Sequence, residues 1–314
     1  MKKVLMLFLA AVTLGFTSCN SNDDENGIVI DGIDLSKDVD CCSAEEALQV
    51  YKFLQTVHYI PELSTSVDGL YDVKAFSKTG TLHRGYNDLY FVVTKKKTGN
   101  YVKFFDIKNI TPLMNMVKMN MWHSTPVGGA LEVLDTKRPA VKHGWVSLLM
   151  NTSEAGYWQF SYDIEVLGSK GRVEDQVVNV EALLEGQDWL KSFKVGNDTY
   201  YLSLVNPNDW KTGTNAIQAY ISKKSSPATT PYAVAAETFT VEIDPRMPDM
   251  GNHTSPGNVA LAKQPNGSYQ GSINLTMTGL WRIHLTVKDA QGNVVAGGDG
   301  QKDGFSSLYW DVTL

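Results

Sequence analysis

Cysteine is scarce in this chain of 314 residues: Cys19, Cys41 and Cys42 are all it has. Cys41 and Cys42 are neighbours and cannot staple distant parts of a fold, which excludes a disulfide-framed scaffold. They are left as a strained vicinal disulfide, a metal-ligating pair or free thiols in a linker. Catalytic signatures are missing too. No Gly-x-Ser-x-Gly elbow, His-Glu-x-x-His helix or phosphate loop occurs, and the six histidines are scattered with no local Asp/His couple for acid–base work. An enzyme is therefore not expected. Positive charge is also in short supply: the formal net charge is −6, and loss of Lys2 and Lys3 with a leader takes it to −8. Such a balance disfavours nucleic acid and anionic lipid surfaces as partners and makes a cation the more natural ligand.

What is present supports real cores, with 43% hydrophobic and 10% aromatic residues. The length predicts two domains of ordinary size plus a tether. Residues 1–19 read as a processing signal: Lys2 and Lys3, an apolar run over 4–16 too short to span a bilayer comfortably, and small residues before Cys19. Leu14-Gly15-Phe16-Thr17-Ser18-Cys19 resembles a bacterial lipobox, which implies acylation of Cys19 and a lipid anchor in the membrane. The polar, acidic stretch that follows, Asn20-Ser21-Asn22-Asp23-Asp24-Glu25-Asn26, cannot collapse and predicts a flexible tether. It also resembles acidic export signals of Gram-negative lipoproteins, which implies the outer membrane, with surface and periplasmic display both open.

Ser43 followed by Ala44-Glu45-Glu46 predicts a short helix over 44–54. Beyond Pro61, β-branched and aromatic runs dominate. Strands are predicted over 70–76, 89–94, 101–107, 145–150 and 158–166, then over 200–205, 216–222, 238–243, 268–276, 281–287 and 308–312. Short strands without alternating helices predict an all-β fold: two tandem immunoglobulin-like antiparallel β-sandwiches, over 51–182 and 183–314, after a linker over 20–50.

A local repeat supports the duplication. Gly85-Tyr86-Asn87 leads through β-rich sequence to Ile110-Thr111-Pro112, Met114, Met116, Met119, Met121 and His123-Ser124. Gly213-Thr214-Asn215 leads likewise to Ile243-Asp244-Pro245, Met247, Met250 and His253-Thr254. Each copy closes on a Gly-x-Trp strand, Gly156-Tyr157-Trp158 and Gly279-Leu280-Trp281. The equivalences place the join near 180–186. The glycines and asparagines fit turns, where a glycine tolerates geometry that excludes a side chain and an asparagine bonds to nearby backbone.

The methionine clusters carry the chemistry. Thioethers are soft donors suited to Cu(I), and imidazole suits copper and zinc alike. If 119–123 is extended, Met119, Met121 and His123 project from one face, with Asn120 and Trp122 on the other. In the second copy Pro248 and Gly251 suit a tight loop that gathers Met247, Met250 and His253. The competing explanation is that these methionines fill core gaps or contact a partner.

Pro245-x-Met247-Pro248-x-Met250-Gly251-x-His253 and Gly279-Leu280-Trp281-Arg282-Ile283 resemble the YtkA-like domain family. The resemblance covers most of the second module and, more loosely, the first. It implies small extracytoplasmic immunoglobulin-like sandwiches associated with copper or other cation transport. Asn252 interrupts the family's Met-Gly-His, and the first module has no Pro-Met-Gly run. The expectation is a non-enzymatic Cu(I)-binding lipoprotein with a metal-transport or envelope protein as partner. A structural or adhesive surface protein is the alternative, with glycan stacking on Trp189 or Trp210 a third. Gly297-Gly298-Asp299-Gly300 lacks the acidic ligands of a calcium loop and reads as a solvated turn.

Overall fold

The computed structural model of the chain describes residues 29–30, 33–34, 44–183, 187–298 and 307–314. The expected leader, Cys19, the acidic tether, Cys41, Cys42 and residues 299–306 lie outside the described residues. Among the described residues no helix is long and apolar enough to cross a membrane. A helix, α1, occupies Ala44–Leu54, with Glu45 and Glu46 in its first turn and Lys52 in its last, as the helix dipole favours. Ala47 and Val50 bury against Phe76, Tyr90, Val92 and Val141 in a satellite core. This face docks the helix on the first sandwich.

The first sandwich contains β1 (His58–Val67), β2 (Tyr71–Ser77), β3 (Gly85–Lys95), β4 (Phe105–Met116), β5 (Met121–His123), β6 (Glu132–Val133), β7 (Val141–Leu148), β8 (Gly156–Val166) and β9 (Ser169–Val178). One sheet runs β6-β7-β3-β2-β1 and the other β9-β8-β4-β5. With β2, β3, β4, β5, β6, β7, β8 and β9 taken as A, B, C, C′, D, E, F and G, these are the A-B-E-D and C′-C-F-G sheets of an immunoglobulin fold. The named strands pair antiparallel, and a two-residue parallel pairing of Leu82–His83 with Val180–Glu181 closes the unit. Strand β9, Ser-Lys-Gly-Arg-Val-Glu-Asp-Gln-Val-Val, is mostly polar and edges its sheet with only Val173 and Val178 buried.

The second sandwich repeats the plan with β10 (Leu190–Val195), β11 (Asp198–Asn206), β12 (Gly213–Lys223), β13 (Thr240–Met247), β14 (His253–Thr254), β15 (Val259–Lys263), β16 (Tyr269–Leu275), β17 (Leu280–Lys288), β18 (Val294–Gly297) and β19 (Tyr309–Thr313). Its orders, β15-β16-β12-β11-β10 and β17 flanked by β13 and by β18 with β19, match those of the first. One difference is that β15 pairs with both β16 and β13, which joins the two sheets along one side. Alternation supplies each core: Ile217, Ala219 and Ile221 point inward from β12, and Trp281, Ile283, Leu285 and Val287 from β17. Leu89, Phe91 and Val93 from β3 and Trp158, Phe160, Tyr162 and Ile164 from β8 do the same in the first.

The two units meet through corresponding sheets. Trp145 stacks on Tyr220 with ring centroids 4.4 Å apart, and Tyr86 lies parallel to Tyr220 at 6.2 Å. The buried Ser147 and Ser203 hydroxyls pair at 2.7 Å, and Arg84 bridges to Asp188 at 2.9 Å. Backbone bonds add to this: Ser124 N donates to Ala228 O, Tyr232 N to Thr125 O and Val127 N to Tyr232 O, at 2.7, 2.9 and 3.1 Å.

Candidate functional site

The methionine-rich segment of the first sandwich forms a hairpin. Strands β4 and β5 pair Met114 with His123, Asn115 with Trp122 and Met116 with Met121. Directly opposed residues share a face, so Met114, Met116, Met121 and His123 line one side and Asn115 and Trp122 the other. Burial falls along the first face: Met114 is fully buried, Met116 and His123 are half-buried, and Met121 is 48% exposed. Met114 is a core residue, and the accessible donors at the rim are Met116, Met121 and His123. On the other face Tyr157 engages both residues, its hydroxyl accepting from Asn115 Nδ2 at 3.0 Å and its ring lying edge-on to Trp122.

Met119 does not join this set. Val117–Met119 form a 3-10 turn, Asn120 takes a left-handed φ of 48°, and only Met121–His123 are extended. The expected strand over 119–123 is therefore corrected: asparagine tolerates the left-handed region, and the chain reverses there. Met119 is left at the tip, 58% exposed.

The His123 ring is fixed on both sides. Its Nδ1 lies 2.8 Å from the carbonyl oxygen of Ser124, and the ring stands edge-on to Trp158 at 5.8 Å. A carbonyl only accepts, so Nδ1 carries the proton and Nε2 the lone pair.

In the second sandwich β13 and β14 pair Met247 with His253, the counterpart of Met114 with His123. Pro248–Met250 form the turn, and Gly251 and Asn252 are both left-handed, with φ of 63° and 59°. Asn252, which interrupts Met-Gly-His, is thus one of the residues that close the loop, its N–H donating to Met247 O at 3.0 Å. Met247 is buried, Met250 is 54% exposed in the turn, and His253 is exposed, 6.5 Å from the Trp281 ring. Only Met247 and His253 of the expected trio stand opposite each other.

The copies agree in detail around these hairpins. Trp158 and Trp281 are fully buried and donate their indole N–H to Met150 O and Met277 O, each at 2.9 Å. A Cβ on Gly156 would meet Met114 Cε at 2.7 Å, and one on Gly279 would meet Met247 Cε at 2.9 Å. The two glycines of the Gly-x-Trp strands make room for the buried methionines. Among the described residues no group of three or more His, Cys, Asp and Glu side chains is gathered to hold a metal ion. An ion at these hairpins would rest on thioethers and one imidazole.

A second polar cluster was invisible in the sequence. Asp88 Oδ1 accepts from the Tyr86 hydroxyl and from His143 Nε2, both at 2.8 Å, and Lys78 Nζ stands 3.2 Å from Oδ2. Burial pushes the Asp88 carboxyl up, but the His143 hydrogen bond and the Lys78 charge outweigh it and bring its pKa down to about 2. Burial, then the Asp88 charge, pushes the Tyr86 phenol far up, so it stays a donor. A carboxylate held so low is a fixed anion at neutral pH, not a proton carrier. It borders an inter-sandwich cleft of about 510 Å³, also lined by Tyr86, Trp189 and Leu204. Asp88 and His143 lie 55 residues apart, and the alternation of Tyr86, Asp88 and Tyr90 with Leu89 and Phe91 gives only the face on which Asp88 lies, not its partner. Trp189 and Trp210 pack against the second core, edge-on to each other at 6.4 Å.

Residues 194–286, most of the second sandwich, match the model of the YtkA-like family. No curated protein matches the chain. Among solved structures it is similar to the adhesin InvE of Yersinia pseudotuberculosis, with 11% identity over 74% of this chain and 55% of that one at a TM-score of 0.21. It is similar also to dimeric latent PorU of Porphyromonas gingivalis, with 12% identity over 82% of this chain and 24% of that one at a TM-score of 0.23. A third is SGBP-B of the Bacteroides ovatus mixed-linkage glucan utilization locus, solved with a mixed-linkage heptasaccharide, with 9% identity over 82% of this chain and 70% of that one at a TM-score of 0.17. The chain thus spans about half of the InvE chain and a quarter of the PorU chain.

Proposed function

We propose that this chain is a lipid-anchored envelope protein that binds a soft metal ion, Cu(I), at the C–C′ hairpins of its sandwiches and acts as a non-enzymatic metal-handling accessory. The anchor is the acylated Cys19, and the site of display is the outer membrane, at the surface or in the periplasm. In the first sandwich the ligands are Met116, Met121 and His123 Nε2, above a floor of buried Met114. In the second they are His253 and Met250 from the turn, above a floor of buried Met247, which takes the place of Met114 and is corrected from ligand to core. A metal-transport or envelope protein is the partner to which the ion passes.

The observation that carries this reading is the 2.8 Å contact of His123 Nδ1 with the Ser124 carbonyl oxygen. Histidine ligands commonly donate their second ring N–H to a carbonyl, which fixes the ring and frees the other nitrogen for the metal. The hydrogen bond to Ser124 O does this on the ribbon face that also bears the exposed Met121 and the half-buried Met116. Soft thioethers select Cu(I) over hard cations. Thioethers and an imidazole are the donor types that suit the ion, which when bound would supply soft-metal coordination alone.

The alternative, a structural or adhesive protein, draws on Val117, Met119 and Met121, three exposed apolar side chains at one tip. Titration with Cu(I) under reducing conditions against a competing chelator separates the two. Two bound equivalents, one of them lost in Met116→Ala with Met121→Ala, support the metal reading; a wild-type chain that leaves the chelator saturated removes it.

A further inference from the structure

The carbonyl that sets the His123 ring belongs to a peptide segment held by the other sandwich. Ser124 and Thr125 are both fully buried. Ser124 N–H donates to Ala228 O at 2.7 Å and its hydroxyl to Pro112 O at 2.7 Å. Thr125 O accepts from Tyr232 N at 2.9 Å, and the Thr125 hydroxyl donates to Ser147 O. Tyr232 is itself 1% exposed and stacks on Tyr201 with ring centroids 5.6 Å apart. The strand leaving the hairpin is thus sewn to residues 228–232 of the second unit immediately after the imidazole.

Resting on the metal reading above, we propose that the second sandwich is a positioning element for the first-sandwich site: residues 228–232 preset the Ser124 carbonyl and hence the His123 ring. Affinity for the ion at the first hairpin then depends on the docking of the two units. By linkage, an ion on that hairpin tightens the docking in return. The second hairpin, with Met250 and His253, is held by its own sandwich and carries no such dependence. Tyr232 touches no proposed ligand, so its effect on the ion is exerted through Ser124 and Thr125.

The test uses the full chain with Cu(I) under reducing conditions and reads two quantities. Amide hydrogen exchange of the wild type is expected to slow at Ser124, Val127 and Tyr232 when the ion is added. In Tyr232→Ala the first-hairpin affinity is expected to fall about tenfold, the lower end of what loss of a ligand's supporting partner costs, with the second-hairpin affinity unchanged. Copper binding that requires Met116 and Met121 but leaves those amides and the Tyr232→Ala titration unaltered overturns the positioning role alone. No copper binding by the wild type overturns this and the metal reading together. If Tyr232→Ala does not fold, wild-type exchange decides by itself.

Discussion

Asn87 and Asn215 make the same three hydrogen bonds in the two sandwiches. Asn87 Nδ2 donates to His83 O and Gly85 O at 2.6 and 2.8 Å, while its Oδ1 accepts from His83 N at 2.8 Å. Asn215 repeats this with Lys211 O, Gly213 O and Lys211 N at 2.7, 3.0 and 3.1 Å. The glycines two residues before them have φ of +91° and +90°. Each bracket turns the chain into the B strand, and with the Gly-x-Trp strands it gives the two sandwiches the same local geometry.

Asn87→Ala and Asn215→Ala are expected to destabilise the protein by about 1–3 kcal/mol each, because both strand the backbone groups the amide had satisfied. Urea unfolding of the two variants is the check. A difference beyond the error between them would argue against equivalent brackets.

Much of the architecture was legible from β-branched and aromatic runs. Two kinds of element were not. The polar edge strand over Ser169–Val178 has no alternation to read, since charged edges protect against sheet pairing and leave little apolar signal. The tip of the first hairpin was misread as extended because one left-handed residue, Asn120, decides whether Met119 follows the ribbon. That single dihedral exchanges Met119 for Met116 as the partner of Met121 and His123. The Asp88–His143 bond depends on the pairing of β3 with β7, which no local pattern encodes.

The glycines beside the buried methionines give a graded prediction. Gly156→Ala would drive its Cβ against the Asn115 carbonyl as well as Met114 Cε, whereas Gly279→Ala meets only Met247 Cε but sits at a φ of +123°. Both are expected to lose about 1–3 kcal/mol. Shortening the methionine relieves only the steric part: Met247→Ala is expected to couple favourably with Gly279→Ala, and Met114→Ala to leave the backbone clash of Gly156→Ala in place. Double-mutant cycles by thermal unfolding read both.

Asp88 predicts an acid response. Its folded pKa of about 2 lies below the ordinary value of 3.8, so its contribution is complete above 3.8 and is lost as pH falls through about 2. The shift corresponds to roughly 2 kcal/mol. Asp88→Asn is expected to be less stable at pH 7 and to lack this part of the acid dependence, as measured by denaturant unfolding across pH 2–5.

At the junction, the Trp145–Tyr220 stack is expected to contribute coupling of about 1 kcal/mol beyond its area burial. Trp145→Ala, Tyr220→Ala and the double variant measure it by chemical denaturation. Additive losses would show that the rings touch without cooperating.

Copper K-edge absorption on the chain carrying Met250→Ala and His253→Ala, which leaves the first-hairpin site alone, loaded with one equivalent of Cu(I), addresses the central claim most directly. A first shell dominated by sulfur with one imidazole nitrogen is expected, losing a sulfur in Met121→Ala and the nitrogen in His123→Ala. A shell of nitrogen and oxygen alone, unchanged in both variants, would contradict a thioether site at the hairpin.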